Sequence, residues 1–288
     1  MLLVDYLKEK KDFLKENHVI DYAISAEEIF SKILNIKKND LYLYHERILS
    51  QKEIQKLDEL VQKRNDKIPL GYLISPITFY GCVFHLNEHV LIPRHETEIL
   101  VDKITSILKK EENLEKKVFL DLCTGSGCIA ISIKKQFSHL KVIASDISYQ
   151  ALEVAKKNAL INKVEIDFVQ GDGLSPFQNQ KFDYVASNPP YVSEEEYTTL
   201  SQEVKNEPKI ALVSGKTGLE FYQMLALDMP LYLNEHAKIF LEMGYMQSGK
   251  LKKIFSNNYY CQQNILEDFS HRERFFFMEF ALPNKIKR

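Results

Sequence analysis

The segment VFLDLCTGSGCIAISI, residues 118–133, joins an apolar run to a glycine-rich turn and then to a second apolar run at helical spacing. Gly125 and Gly127 allow the backbone to turn tightly and let a ligand approach without an intervening Cβ atom. Asp146 ends the next predicted strand. A carboxylate there can accept hydrogen bonds from the two ribose hydroxyls of an adenosine ligand. This part of the sequence therefore predicts a nucleotide-type site in an α/β domain.

The glycine loop alone leaves three interpretations open. It suits an adenosine-containing methyl donor, but Gly125, Gly127 and Ala130 also satisfy the G-x-G-x-x-A pattern of dinucleotide-binding domains. A tight strand-to-helix turn that binds nothing would need the same glycines. A P-loop is excluded, because no Gly-Lys-Ser/Thr follows.

Strand and helix patterns alternate from Glu96 onward. This alternation predicts a mainly parallel, doubly wound sheet covered by helices on both faces. The predicted strands are Val118–Leu122, Lys141–Ser145, Ile166–Val169, Phe182–Ser187, Lys238–Leu241 and Arg274–Phe280, the last one antiparallel at the sheet edge. The predicted helices between them include Ile129–Gln136, Tyr149–Asn158 and Leu219–Leu227.

Two further regions precede this domain. Residues 1–67 have only helical patterns, and Ser25 with Glu28 and Ser50 with Glu53 form S-x-x-E sequences typical of capping boxes. Residues 68–95 are rich in aromatic and β-branched residues and predict a linking β-hairpin. We therefore divide the chain into an N-terminal helical domain (1–67), a hairpin linker (68–95) and an α/β domain (96–288).

The composition limits the classes of function. Lys and Arg number 38 against 40 Asp and Glu, and residues 1–67 contain 13 of each sign, which disfavours broad contact with nucleic-acid phosphates. No secretory leader or membrane-spanning run is evident. The four cysteines form no C-x-x-C pair and no metal-ligand pattern with histidine. These features favour a cytoplasmic protein with no membrane contact and no metal.

The tetrapeptide Asn188-Pro189-Pro190-Tyr191 directly follows the strand FDYVAS. In an open α/β sheet, ligands bind outside the carboxyl ends of the strands, so this tetrapeptide should face the cofactor. Without that context it would be read as a proline-rich turn with an exposed tyrosine.

An amide or exocyclic amine nitrogen is a poor nucleophile, because its lone pair is delocalised into the adjacent π system. The side-chain oxygen of Asn188 and the carbonyl of Pro190 can accept hydrogen bonds from both of its N–H groups, which localises the lone pair and aims it at a sulfonium methyl group. Tyr191 can pack on the flat substrate group. No strong base is needed, since the alkylated nitrogen is acidic and loses its proton to water. Hydride transfer gives no reason for this motif, so a methyltransferase is favoured over a dinucleotide enzyme.

These motifs resemble those of the glutamine methyltransferases of peptide-chain release factors, the HemK/PrmC family, over nearly the whole chain. The resemblance rests on Phe79-Tyr80-Gly81, on residues 90–98 (VLIPRHETE), on residues 121–127 (DLCTGSG) and on residues 188–191 (NPPY). It continues through Glu207-Pro208, Ala211-Leu212, Gly215, Gly218-Leu219, residues 241–244 (LEMG), and Asp268 with Arg272 and Arg274. The linker and the helical domain are the discriminating features, because the tetrapeptide is shared with DNA and RNA methyltransferases.

The resemblance implies a class I methyltransferase-type, seven-stranded sheet and S-adenosylmethionine as methyl donor. It implies that class I release factors are the partners, held by the N-terminal helices, and that the glutamine of their Gly-Gly-Gln motif is methylated on its side-chain amide. Catalysis would involve Asn188 and Pro190, and substrate binding Asn188, Pro189, Pro190 and Tyr191. Donor binding would involve Cys123, Thr124, Gly125, Ser126, Gly127, Asp146, Gly173 and Asn188.

Several positions depart from the family pattern. His95 replaces a usual Pro, Cys123 a common Gly, and Gly173 an aromatic residue that often covers the adenine, for which Leu174 or Phe177 are possible substitutes. Two other functions remain to be separated from the main one. They are methylation of adenine or guanine amino groups in nucleic acid, and a non-enzymatic role as a protein-binding adaptor.

Overall fold

The computed structural model describes residues 1–282, which fold into two compact units. Unit 1 contains residues 1–77 and 201–207, and unit 2 contains residues 78–200 and the chain from 208 onward. The boundaries 1–67, 68–95 and 96–288 drawn from the sequence remain a prediction, and the last six residues of the third range lie outside the described part of the chain.

Unit 1 is helical. Its helices are α1 (Leu3–Glu16), α2 (Tyr22–Leu34), α3 (Gln51–Asn65), α4 (Leu70–Leu73) and α9 (Gln202–Lys205). One apolar core joins α1, α2 and α3 through side chains such as Leu7, Phe30 and Leu57. Within each of these helices, the apolar residues recur at helical spacing, so each helix buries one face.

The two predicted capping boxes have different outcomes. Ser50 accepts a hydrogen bond from the Glu53 N–H and Glu53 accepts one from the Ser50 N–H, so that capping box is confirmed. The prediction for Ser25 is wrong, because α2 begins three residues earlier and encloses it. Its hydroxyl is buried and accepts a hydrogen bond from the Nε of Arg64 at 2.9 Å.

Arg64 is a buried cation within unit 1, with 1% of the residue exposed. Its guanidinium donates to Ser25, to the carbonyl of Ile68 and, at 2.8 Å, to a carboxylate oxygen of Glu203. A buried charge is tolerated only when it is paired and hydrogen-bonded, and this one is both. The carboxylate comes from the short segment 201–207 and not from the N-terminal part of the sequence.

Unit 2 contains a two-stranded hairpin and a seven-stranded sheet. The hairpin is β1 (Ile77–Phe79, whose first residue belongs to unit 1) and β2 (Cys82–Phe84). The strands of the sheet are β3 (Val118–Leu122), β4 (Lys141–Asp146), β5 (Asp167–Gln170), β6 (Phe182–Ser187), β7 (Leu233–Glu242), β8 (Tyr260–Glu267) and β9 (Glu273–Phe280). The helices are α5 (His95–Leu108), α6 (Cys128–Gln136), α7 (Tyr149–Asn162), α8 (Glu194–Thr199), α10 (Glu220–Asp228) and α11 (Ser248–Ile254).

The strand order is β5-β4-β3-β6-β7-β9-β8, with parallel pairs from β5 to β7 and antiparallel pairs involving β9. The predicted mainly parallel, seven-stranded, doubly wound sheet with a helical N-terminal region and a hairpin is therefore confirmed. The final strand is antiparallel as predicted, but its placement at the sheet edge is wrong. It pairs with β7 on one side and β8 on the other.

Strand β8 was not predicted from the sequence. It is the edge strand, and its residues alternate between more and less exposed positions. An edge strand with one solvated face carries polar residues such as Gln262 and Asn264, which weaken the apolar pattern that marks the inner strands.

The hairpin is held to the sheet domain by two asparagines of α7. Asn158 accepts a hydrogen bond from the N–H of His85 and donates to the carbonyls of His85 and Ser126. Asn162 accepts from the N–H of Val83 and donates to its carbonyl. Side-chain amides thus take the place of a neighbouring strand along β2 and also touch the glycine loop.

The core of the sheet should dominate the stability of unit 2. Phe240, 1% exposed in β7, packs against Phe277 of β9 with ring centroids 4.9 Å apart. We expect Phe240→Ala to lower the free energy of unfolding by about 3–5 kcal/mol, because it removes a buried ring and leaves a cavity. Urea denaturation followed by circular dichroism measures this change.

Phe269→Ala is the matched control, since that ring is 77% exposed. It should change the free energy of unfolding by less than about 0.5 kcal/mol. Equal losses in the two variants would contradict this description of the core.

Candidate active site

Four adjacent parallel strands end in register at one edge of the sheet. Leu122 is aligned with Ser145 of β4 and Ser187 of β6, and Ser187 is aligned with Leu241 of β7. The residues one step further along the chain therefore lie side by side. In strand order these are Asp146, Cys123, Asn188 and Glu242. The edge thus places the polar residues Asp146, Asn188 and Glu242 in one row with Cys123, where the glycine loop starts.

The glycine loop takes left-handed backbone conformations at three positions. The φ angles are +61° at Cys123, +53° at Gly125 and +84° at Gly127. A Cβ atom on Gly127 would lie 2.9 Å from Ile131 Cδ1 and 3.2 Å from Ala155 Cβ, so this position needs glycine for packing as well as for φ. A Cβ atom on Gly125 would meet no atom of residues 1–282 within 4 Å and would therefore point into open space.

Asp121 braces this loop from behind. Its Oδ2 accepts hydrogen bonds from the Thr124 hydroxyl at 2.6 Å and from the Ala130 N–H at 3.0 Å. The residue is fully buried, and burial raises the pKa of its carboxyl group to about 7. It does not line the cavity described below, so its observed contacts are those of a brace.

Asp146 joins the glycine loop to the start of α7. One carboxylate oxygen accepts the Gly125 N–H at 2.9 Å and the other accepts the Ser148 N–H at 2.9 Å. Burial raises the pKa of Asp146 above its ordinary value, although hydrogen bonds from backbone N–H groups oppose that shift. Each carboxylate oxygen keeps a further lone pair for another donor.

Two residues of the tetrapeptide 188–191 line the cavity, and the other two lie outside its wall. Asn188 and Pro190 line the cavity. Pro189 is buried, and Tyr191 packs against the core beneath β6 and β7, where burial raises the pKa of its hydroxyl. Contact of Pro189 and Tyr191 with a substrate remains a prediction.

The backbone after the tetrapeptide is fixed by the segment that precedes α10. The N–H groups of Tyr191 and Val192 both donate to the carbonyl of Leu212, at 3.2 and 2.8 Å. A Cβ atom on Gly218, whose φ is +73°, would lie 2.4 Å from the carbonyl oxygen of Tyr191. This close approach explains why a glycine stands at position 218.

Asn188 is the start of a short chain of polar side chains. Its Nδ2 donates to the Thr97 hydroxyl at 3.1 Å, and that hydroxyl donates to Oε2 of Glu242 at 2.8 Å. Thr97 and Glu242 are each 1% exposed, and burial raises the pKa of Glu242 to about 7. Within residues 1–282, no group donates a hydrogen bond to the buried Oδ1 of Asn188.

Neither Thr97 nor Glu242 was assigned a role from the sequence. Both lie in segments that contribute to the family resemblance, residues 90–98 and 241–244. The available signal was the position of Glu242 at the carboxyl end of β7, beside the strand that carries Asn188. Thr97 is brought to them by α5, a contact that no strand alignment predicts.

A cavity of about 350 Å³ lies in front of this edge. Its wall combines the glycine loop, the ends of β4 and β6, the residues after β5 and the segment before α10. The residues named from the sequence that line it are Cys123, Thr124, Gly125, Ser126, Asp146, Gly173, Asn188 and Pro190. Gly127 lies behind the loop and is not part of the wall.

Gly173 lies beneath the side chain of Met224. A Cβ atom at position 173 would be 2.7 Å from Met224 Cε, so the methionine occupies the space that a larger residue would need. Leu174 and Phe177, the substitutes suggested from the sequence, are instead buried in the core of the sheet. Met224, Phe221 and Ile147 are apolar side chains that do line the cavity.

His95 begins α5 and is not part of the cavity wall. Its Nδ1 lies 3.0 Å from a carboxylate oxygen of Glu98, one helical turn further along, and its ring contacts Phe269. Among residues 1–282, no three or more His, Cys, Asp and Glu side chains are grouped so as to hold a metal ion. In the same range, no helix is long and apolar enough to cross a bilayer.

Two family profiles match this chain, and a solved structure shares its fold. The profile of the methyltransferase small domain matches residues 96–217, and that of the PrmC N-terminal domain matches residues 5–74. The solved structure of the 16S rRNA N2 G1207 methyltransferase RsmC of T. thermophilus, in complex with AdoMet and guanosine, is similar in fold. Its TM-score is 0.52 at 14% identity, over 71% of this chain and 49% of that chain.

Two full-length relatives decide the family. The release factor glutamine methyltransferase of Bacillus cereus is 34% identical over 283 residues, which cover 97% of this chain and 99% of that protein. The release factor glutamine methyltransferase of Chlamydia trachomatis serovar D is 35% identical over 274 residues, covering 95% and 92% respectively. With this identity along nearly its whole length, the chain belongs to the release factor glutamine methyltransferase family.

Proposed function

We propose that this chain transfers the methyl group of S-adenosylmethionine to the side-chain amide nitrogen of a glutamine, namely that of the Gly-Gly-Gln motif in class I release factors. The observation that carries the proposal is Asn188, which lines the cavity and whose buried Oδ1 has no hydrogen-bond partner among residues 1–282. An unsatisfied buried acceptor is costly, and a substrate N–H is the group that would satisfy it.

The cavity has the features that the methyl donor requires. The open space in front of Gly125 lets a ligand approach the backbone of the loop, and the free lone pairs of Asp146 suit the two ribose hydroxyls. Met224, lying over Gly173, offers an apolar and adaptable surface for the adenine ring. We therefore assign the donor site to Cys123–Ser126, to residues 146 and 171–173, and to Asn188, with Gly127 supporting the loop from behind.

The chemistry depends on orientation more than on proton transfer. The bound donor supplies an electrophilic methyl group, whose bond to sulfur breaks with the electron pair remaining on sulfur. Oδ1 of Asn188 and the carbonyl of Pro190 accept the two amide N–H groups and aim the nitrogen lone pair at that methyl group. The proton then leaves from the methylated nitrogen to water. Asn188 does not titrate, and the reaction calls for no metal.

The remaining parts of the proposal concern the partner and its compartment. We assign the binding of the release factor to the helical unit 1, where the PrmC N-terminal domain profile matches. Release factors act on cytoplasmic ribosomes, so we expect this chain to act in the cytoplasm as well.

The substrate assignment is tested by methylation with labelled donor. The chain should label a class I release factor and should fail to label the same protein carrying Gln→Ala in its Gly-Gly-Gln motif. Ribosomal RNA and DNA serve as controls. Unchanged labelling of the Gln→Ala protein, or labelling of nucleic acid alone, would refute the assignment.

The role of Asn188 is tested by Asn188→Ala. We expect the rate of methyl transfer to fall by about a hundredfold or more, as for loss of an oxyanion-hole donor, while donor affinity is largely kept. Single-turnover kinetics and calorimetry with the donor measure the two quantities. The control is Asn264→Ala on the exposed edge strand β8, which should leave both unchanged.

The position of the donor is tested by Gly125→Ala. The new Cβ atom would enter the open space of the cavity, so we expect donor affinity to fall at least about tenfold, the equivalent of 1.4 kcal/mol. Gly81→Ala is the matched control, because Gly81 has a φ of +75°, likewise meets no atom within 4 Å and lies outside the cavity wall.

Both alanine variants should carry a similar backbone penalty of about 1 kcal/mol. Thermal unfolding and donor calorimetry of the pair separate strain from ligand contact. Equal donor affinities in the two variants would mean that the donor does not lie against the loop at Gly125.

A further inference from the structure

Glu242 and Thr97 form a buried polar connection that ends at the side chain of Asn188. Thr97 is on α5 and Glu242 is at the carboxyl end of β7, one step beyond the residue aligned with Ser187. The Asn188 Nδ2, the Thr97 hydroxyl and Oε2 of Glu242 follow each other at 3.1 and 2.8 Å. The geometry points to a positioning role, in which Thr97 and Glu242 set the direction of the Asn188 amide so that its oxygen faces the substrate. This inference deepens the function proposed above and rests on it.

The argument depends on the direction of the hydrogen bonds. A side-chain amide is nearly symmetric in shape, so packing alone does not distinguish its oxygen from its nitrogen. An ionised carboxylate only accepts hydrogen bonds, and a threonine hydroxyl has a single proton to donate. With that proton given to Glu242, the Thr97 oxygen can only accept from Asn188. The Nδ2 of Asn188 must therefore point toward Thr97, and Oδ1 must point the other way.

The reverse orientation would defeat the proposed chemistry. If Nδ2 faced the substrate, it would be a donor opposite the N–H groups of the glutamine amide, and neither group would have an acceptor. An unsatisfied pair of buried donors costs more than a hydrogen bond contributes. The connection thus acts before the reaction begins, by making the productive rotamer the favoured one.

The surroundings keep Glu242 in place. Its backbone carbonyl accepts a hydrogen bond from the hydroxyl of Tyr222 at 2.7 Å, and Tyr222 itself is fully buried in α10. Its side chain is 1% exposed, so the bond to Thr97 does not compete with solvent. The titratable and charged groups that interact electrostatically with the carboxyl group include Arg94 before α5, Glu96 in α5, Cys128 in α6, Tyr191 after β6, Tyr222 in α10 and Arg274 in β9.

The protonation state of Glu242 controls the direction of the connection. Burial and the Glu96 charge raise its pKa, whereas the Thr97 hydrogen bond and the charges of Arg274 and Arg94 lower it, with the resulting pKa at about 7. The carboxylate predominates above that pH and only accepts. Below it the carboxylic acid can donate to Thr97, whose proton is then free to point at Asn188 and reverse the amide. The rate should therefore fall as the pH drops through about 7.

The test compares Thr97→Val with Thr97→Ser in the full-length chain, using labelled donor and a release factor. Valine keeps the shape of threonine but has no hydroxyl, so kcat should fall at least about tenfold with KM for the donor within about threefold. Serine keeps the hydroxyl and should restore at least about half of the wild-type kcat. A structural role alone would lower the melting temperature of the valine variant without separating the two variants in kcat.

The second arm is the pH profile of Glu242→Gln. Glutamine has a similar shape but does not titrate and can both donate and accept, so both directions of the connection become available. We expect a reduced kcat and the loss of the wild-type fall between about pH 8 and about pH 6. Wild-type kcat in Thr97→Val, equal impairment of the valine and serine variants, or the same acidic fall in Glu242→Gln would each overturn the inference. Failure of the wild-type chain to label the glutamine would instead overturn the proposed function.

Discussion

The parallel register of β3, β4, β6 and β7 is the constraint on which the site depends. Because these strands are aligned, the residues at their carboxyl ends are brought into one row by the pairing of the sheet itself. Asp146 and Asn188 are far apart in the sequence. They lie in the same row because β4 and β6 both pair with β3. A shift of one residue in any pair would turn the corresponding side chain to the other face of the sheet.

The cost of burying polar groups behind this row is only partly offset by hydrogen bonds, because Oδ1 of Asp121 has no partner among residues 1–282. Asp121 is held by Thr124 and Ala130, and Glu242 is held by Thr97. Carboxyl groups in such places support the loops while staying out of the cavity. Among the buried side-chain atoms of the tetrapeptide, Oδ1 of Asn188 is the one without a partner in residues 1–282. Within the tetrapeptide, the unmet hydrogen bond thus lies where a substrate amide would bind.

Sequence patterns predicted the parts of the molecule that follow from local chemistry. The alternation of apolar strands and helices indicated the sheet, and the glycine spacing indicated the turn after β3, because both patterns are set by backbone geometry. The S-x-x-E pattern at Ser25 does not mark a helix start, because α2 begins at Tyr22 and the Ser25 hydroxyl bonds instead to Arg64 of another helix. The pattern of β8 is weak, because an edge strand needs few apolar residues. Thr97 was recognised only as part of a motif, since its contact with Asn188 depends on how α5 packs against the sheet.

The ion pair between Arg64 and Glu203 has a consequence for the modularity of the chain. The carboxylate that balances this buried cation is supplied by residues 201–207, which follow the tetrapeptide 188–191 in the sequence and yet belong to unit 1. A fragment cut after residue 77 would keep the cation and lose its counter-charge. An exchange of N-terminal units between members of the family would accordingly have to carry two pieces of sequence, so recombination at the hairpin alone is disfavoured.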